Sequence, residues 1–306
     1  MKNYKKNLSP LFVFLLLGTW ANFANANSCT GAGTDNASRI LNAGGTQNCL
    51  TEPDVYKIKV YEVGLCVTKP EPASLATDLA ACTAVTKVAV AGSMTIANGV
   101  NSVMPGTFVR PDNGTYAYGY VILAPEFRIT ATKFFDQTLT GKNGGDGGQI
   151  CWTLAEAYRD SGNATAYDGN AVTKIIDGTD STYVAQCGET AVPGETIAVQ
   201  DAFGGLPIGV TDDDGETGVA STESTPVDGA FIIGHLTDSD LVLATESANV
   251  TRLVGVVTFA TPAIITDDSS KFTTSFKVSQ GSLLHASDNV IRAIGAGPFM
   301  INMAVE

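Results

Sequence analysis

The two-residue alternation in the last 55 residues constrains this chain more than any other feature. In 299–305, Phe299, Ile301, Met303 and Val305 form one apolar face. In 271–279, Phe272, Thr274, Phe276 and Val278 point one way, and Thr273, Ser275, Lys277 and Ser279 point the other. Leu253, Val257 and Phe259 alternate with other residues in 252–261. Successive strand side chains point to opposite faces, so the pattern requires a sheet with one buried face. A helix would scatter the same residues around its axis. Short polar links such as Asp267-Asp268-Ser269-Ser270 suit antiparallel hairpins.

The same signal runs through the rest of the chain. Tyr56 to Val63 (YKIKVYEV) alternates Lys57 and Lys59 with Ile58 and Val60. Val85 to Ile96 is β-branched and apolar, and Asn98-Gly99 follows as turn chemistry. Thr107 to Arg110 and Thr115 to Leu123 flank Pro111-Asp112-Asn113-Gly114, where Pro fixes one dihedral and Asn-Gly accepts positive φ. Phe127 to Phe135 and Ile150 to Ala155, which carries Trp152, read as further strands. Gly141 to Gly148 reads as a loop. The only helix expected lies within 70–84, capped at Ser74. The expected fold is all-β, an antiparallel β-sandwich or jelly-roll-like body with at most one or two short helices.

The beginning of the chain reads as a cleavable export signal over 1–26. Lys2, Lys5 and Lys6 precede the apolar run Leu11 to Leu17, and Ala24-Asn25-Ala26 is a small-x-small cleavage site. The run is far shorter than the roughly 20 apolar residues of a membrane span, and no later stretch is longer, so no transmembrane segment is expected. Cys29 lies close to this segment, but Ala26, Asn27 and Ser28 before it favour plain cleavage over a lipid anchor. Cleavage leaves residues 27–306, or 306 − 26 = 280 residues, with a net charge of (18 − 3) − 31 = −16. Such a surface repels phosphate backbones and argues against nucleic acid as a partner. The expected divisions are a cysteine-containing β-rich region over 27–210 and an acidic loop or boundary over 211–229. A C-terminal β-meander over 230–306 either stands alone or completes one sandwich with 55–210.

Cys29, Cys49, Cys66, Cys82, Cys151 and Cys187 make an even count in a chain bound for export, which predicts three disulfides. Six cysteines allow 15 pairings. Sequential pairing, 29–49, 66–82 and 151–187, is expected because each pair flanks a loop-like segment. The chain has no C-x-x-C, so zinc-ribbon and thioredoxin-type sites have no support.

The acidic loop Asp212-Asp213-Asp214-Gly215-Glu216 offers oxygen ligands, and Asp212, Asp214 and Glu216 are the candidate calcium set. An EF-hand is excluded. With Gly215 as its invariant glycine, Val210 and Ser221 occupy ligand positions 1 and 12. Gly144-Gly145-Asp146-Gly147-Gly148 resembles one calcium β-roll repeat, but Gln149 stands where Asp is needed. His235 and His285 have no acid or cysteine at ligand spacing, and neither G-x-S-x-G nor H-E-x-x-H occurs. Tyr116, Tyr118 and Tyr120 read either as a sugar-stacking platform or as one packed face of a core strand. Asn36, Asn113, Asn163 and Asn249 sit in N-x-S/T sequons, which suit surface loops.

These features lead to an exported, non-enzymatic structural protein of the cell surface or extracellular space, a subunit of a fibre, appendage or surface layer. Self-assembly is its expected interaction, with Phe299, Ile301, Met303 and Val305 as a candidate assembly strand. No cofactor is expected, apart from calcium at the acidic loop. One alternative is a secreted carbohydrate- or calcium-dependent binding module, and another is a secreted hydrolase using paired carboxylates.

Overall fold

A computed structural model of the chain describes residues 29, 40–41, 47–96, 104–141, 147–159, 174–175, 185–203, 206–211, 215, 217–223, 231–269, 271–287, 289–297 and 299–305. The signal over 1–26, the Asn98-Gly99 turn and residues 142–146 of the glycine loop lie outside them.

The described residues form an all-β structure of several packed, mainly antiparallel sheets, as the alternation requires. In chain order the elements begin with β1 Ile40–Leu41, β2 Gln47–Thr51, β3 Val55–Cys66, helix α1 Leu75–Ala80 and β4 Thr83–Ile96. Next come β5 Gly114–Thr130, β6 Thr132–Leu139, β7 Gly148–Thr153, β8 Ala157–Arg159, β9 Lys174–Ile175, β10 Ala185–Gly188 and β11 Thr196–Val199. The last are β12 Ser221–Glu223, β13 Phe231–Thr237, β14 Arg252–Ile265, β15 Phe272–Lys277, β16 Ser282–Ser287, β17 Val290–Ala296 and β18 Met300–Val305.

The 17-residue β5 organises the main sheet. β3 takes one of its edges over 118–130 and is itself flanked by β4. β14 pairs with residues 114–123 and β11 with 126–129, so these two share the other edge. Pro125, which has no N–H to give a ladder, sits at the changeover. One branch continues β14–β13–β12 and the other β11–β8–β9.

Both faces of this sheet are buried at its middle. On one face, Tyr56, Ile58, Val60, Leu123, Phe127 and Ile129 join Ile301 and Met303 in the main core. On the other, α1 packs Leu75 and Leu79 onto Tyr120, Ile122, Val254 and Val256. The alternation in β3 therefore stops after Tyr61, and Glu62 to Cys66 are all buried. Gly64 is required there, because a Cβ would come within 2.3 Å of the Tyr120 ring.

A second core lies between β6, β7 and β10 on one side and β16 and β17 on the other. Phe135, Leu139, Cys151, Ala185 and Cys187 meet Leu284, Ala286, Ile291 and Ile294. Phe127 to Phe135 is two strands, not one. Residues 127–130 belong to β5 in the main sheet, residues 132–135 pair with β7, and buried Ala131 marks the crossing. Thr107 to Arg110 is not a strand either. It runs outside the ladder of β4, tied by the Val109 N–H donating to the Val85 carbonyl at 2.8 Å.

The C-terminal region does not form a simple meander. β14 inserts between β13 and β5, and β16 between β17 and β2, so residues 230–306 complete sheets begun by the first half of the chain.

Candidate functional site

The three disulfides join Cys29 to Cys49, Cys66 to Cys82 and Cys151 to Cys187, the sequential pairing, and no cysteine is free. Each has its own mechanical task. Cys29–Cys49 fastens residue 29 to β2, where the Cys29 N–H also donates to the Leu50 carbonyl at 3.1 Å. Cys66–Cys82 ties the end of β3 to the chain just after α1. Cys151 and Cys187 stand directly opposite each other on β7 and β10.

The candidate assembly strand is paired within its own chain. β18 runs antiparallel to β15, with Phe276 opposite Ile301 and Thr274 opposite Met303. Ile301 and Met303 are 4% and 7% exposed. The Phe299 ring lies 5.9 Å from Tyr56, 5.7 Å from Phe127 and 6.1 Å from Phe276. Val305 stands opposite Phe272 at the end of the pairing. Gly119 lets this flap approach the main sheet, since a Cβ there would come within 2.7 Å of the Met303 sulfur.

The three tyrosines do not share one open face. Tyr116 belongs to the main core, whereas Tyr118 and Tyr120 face the core under α1. The register between β14 and β5 shifts between the Tyr118 and Tyr116 pairings. Tyr120 is fully buried and donates its hydroxyl to the Glu62 carboxylate at 2.6 Å. Burial, reinforced by Glu62, pushes the Tyr120 phenol far above its ordinary range. Tyr118 is half-buried.

Asp212, Asp214 and Glu216 lie outside the described residues, as do Asn36 and Asn163. Among the described residues no group of three His, Cys, Asp or Glu side chains is placed to hold a metal ion. Asn113 and Asn249 are exposed. Asn113 donates to Asp267 at 2.6 Å and Asn249 to Glu246 at 2.8 Å.

His235 is buried on β13, with its Nδ1 2.9 Å from the Ser221 hydroxyl of β12. Among the described residues its Nε2 has no hydrogen-bond partner. In a serine triad Nε2 takes the nucleophile's proton and a carboxylate holds Nδ1. Here serine occupies Nδ1, so this pair lacks that arrangement. Burial, helped by Lys69, lowers the ring to about 4 and keeps it neutral at pH 7.

A charged chain not anticipated from the sequence links β3, β5 and the residue just before β11 in the main sheet. Lys57 and Arg128 stand directly opposite each other, and Glu195 bridges them, 3.1 Å from Arg128 and in direct contact with Lys57. Glu126 bridges Arg128 at 2.5 Å and Lys59 at 3.3 Å, its side chain fully buried. Burial would raise the Glu195 carboxyl, but the hydrogen bonds and charges of Lys57 and Arg128 together outweigh it and hold the group below its usual range. A general acid needs the opposite shift. The available signal was the pair of lysines on the non-core face of YKIKVYEV, which needs counter-charges beside it.

The fold and these contacts define a disulfide-linked, all-β protein. The chain matches no model of a known protein family, no curated protein and no solved structure. Among the described residues no helix is long and apolar enough to cross a membrane, and the three disulfides fit an oxidising, extracellular environment.

Proposed function

We propose that this protein is exported and serves as a non-enzymatic structural subunit of a fibre, appendage or surface layer. The engagement of all six cysteines carries the reading, because the disulfides fasten residue 29 to β2, the chain after α1 to β3, and β7 to β10. A body built this way suits a mechanical, extracellular task. The polar chemistry of the main sheet fits the same reading, since Glu126 and Glu195 hold lysines and an arginine in place.

Expression of the full chain in a secreting host, with intact mass and negative-stain microscopy of the product, tests the proposal. Export with cleavage after Ala26 removes about 2.9 kDa, at roughly 110 Da per residue. Filaments or sheets are the expected images. Retention of residues 1–26, or single dispersed particles at every concentration, would overturn it.

A further inference from the structure

The six cysteines are not equally shielded. Cys29, Cys49, Cys66, Cys151 and Cys187 are buried, none more than 7% exposed, and Cys82 alone is half-buried. The Cys66–Cys82 bond closes the end of the β3–β4 ladder, where Leu65 pairs with Thr83. Val67, Thr68 and Lys69 on one side of it, and Ala80 and Ala81 on the other, are exposed. Cys82 is therefore approached from solvent. The other two bonds lie within the second core, among Leu284, Ile291 and Ile294.

This bond also holds a cover. The loop it closes contains α1, which lays Leu75 and Leu79 on Tyr120, Ile122, Val254 and Val256. α1 has 6 residues, and an isolated helix shorter than ~12–15 residues is marginal in water. Its last turn is tied to the disulfide, because the Cys82 N–H donates to the Leu79 carbonyl at 3.1 Å. Leu241 packs against the same core with φ 64, a left-handed backbone that a leucine adopts only under strain. Asp238 holds that backbone by accepting from the Asp240 and Val242 N–H groups at 2.9 and 3.0 Å. A short helix beside a strained residue loosens when a constraint is removed.

We propose that Cys66–Cys82 is a redox latch on α1, addressed at Cys82 by a protein dithiol of the C-x-x-C class. A thiolate of that partner attacks the Cys82 sulfur. A mixed disulfide forms there as the Cys66–Cys82 bond breaks, and the Cys66 sulfur leaves as a thiolate that takes a proton from water. The partner's second thiolate then attacks the partner sulfur of the mixed disulfide. Cys82 leaves and is protonated in turn, and the partner departs as a disulfide, having given two electrons to this chain. The freed Cys82 thiol has an acceptor at hand, since its sulfur lies 3.2 Å from the Asp78 carbonyl oxygen. α1 then loosens over Tyr120 and Val256, while the two buried disulfides keep the second core closed.

Reduction of the folded, full-length protein is the test. After brief dithiothreitol treatment without denaturant, alkylation and mass mapping should find Cys66 and Cys82 labelled at least about tenfold faster than the other four cysteines. A thioredoxin-type protein whose second active-site cysteine is replaced by serine should be trapped as a mixed disulfide on Cys82. Hydrogen exchange reads the latch itself: amides of 75–82 should exchange at least about tenfold faster after reduction, and those of 151–153 at an unchanged rate. Cys66→Ser with Cys82→Ser should show the same faster exchange with no reductant, and if that variant does not fold the parent's exchange decides. Equal labelling of all three bonds, or a trap on any other cysteine, would overturn the site. Selective labelling with unchanged exchange in 75–82 would overturn the latch. The structural-subunit reading survives either result, because filament formation tests it separately.

Discussion

His235 shows what the fold does to a single residue. An imidazole in water is half-protonated near pH 6.5. Burial beside Ser221, with Lys69 adding repulsion, lowers this one to about 4. The unfolded chain therefore takes up a proton below pH 6.5 that the folded chain refuses until about pH 4. The sign follows directly: stability falls as pH drops through that window, by at most about 3 kcal/mol, and the penalty is complete below it. Denaturant unfolding at pH 7, 5.5 and 4 should show a shallower pH slope for His235→Asn than for the parent, whatever the two absolute stabilities. Parallel slopes would mean that the ring titrates normally. Nothing beside His235 in the sequence announced this, because Ser221 lies 14 residues away and reaches the ring only through the pairing of β12 with β13. The charged chain was hidden for the same reason: Lys57, Glu126 and Glu195 are brought together by three different segments.

At the scale of elements, the β15–β18 flap is the clearest case of pattern becoming packing. Its two strands were legible residue by residue, because each carries an apolar face of period two. The partner surface was not legible, since the Tyr56, Phe127 and Phe299 rings meet across more than 240 residues of chain. Ile301→Asp should cost more than about 3 kcal/mol, because it places an unpaired carboxylate in a site only 4% exposed. Lys277→Ala on the exposed side of the same flap should stay within about 0.5 kcal/mol. Equal melting temperatures for the two variants would show that the flap does not close the core. Helix α1 was also legible, but its cap works differently from the expectation. The Ser74 hydroxyl bonds to the Asp78 carboxylate at 2.6 Å, and Asp78 in turn accepts from the Glu71 N–H at 2.9 Å.

Across the whole molecule, the disulfides and the sheets divide the task of holding the chain. Cys151–Cys187 closes the longest loop, with a sequence separation of 36 against 16 for Cys66–Cys82. Removing either by paired Cys→Ala substitution should cost about 2–4 kcal/mol, the longer loop costing about 0.7 kcal/mol more if chain entropy dominates. Thiol labelling of the unfolded, unreduced protein should find almost no free cysteine. Two or more labelled cysteines would contradict the pairing. Acidity is likewise uneven along the chain: residues 175–251 hold 14 Asp and Glu and no Lys or Arg, whereas residues 79–111 hold no acid.

The sequence by itself determined that the chain would be β-rich, that segments such as Tyr56 to Val63, Phe272 to Val278 and Phe299 to Val305 would be strands with one apolar face, and roughly where helix α1 would form. These are local matters: a period of two or a turn residue acts within a few residues of itself. Only the tertiary structure decided that β14 lies between β13 and β5, that β16 lies beside β2, and that Tyr116 faces a different core from Tyr118 and Tyr120. Backbone hydrogen bonds are the same for every pair of strands, so a strand's sequence does not name its neighbour. The choice is made by how side chains from distant segments fill one another's space, and by register shifts such as the one in β14 that turn a continuous stripe toward two different interiors.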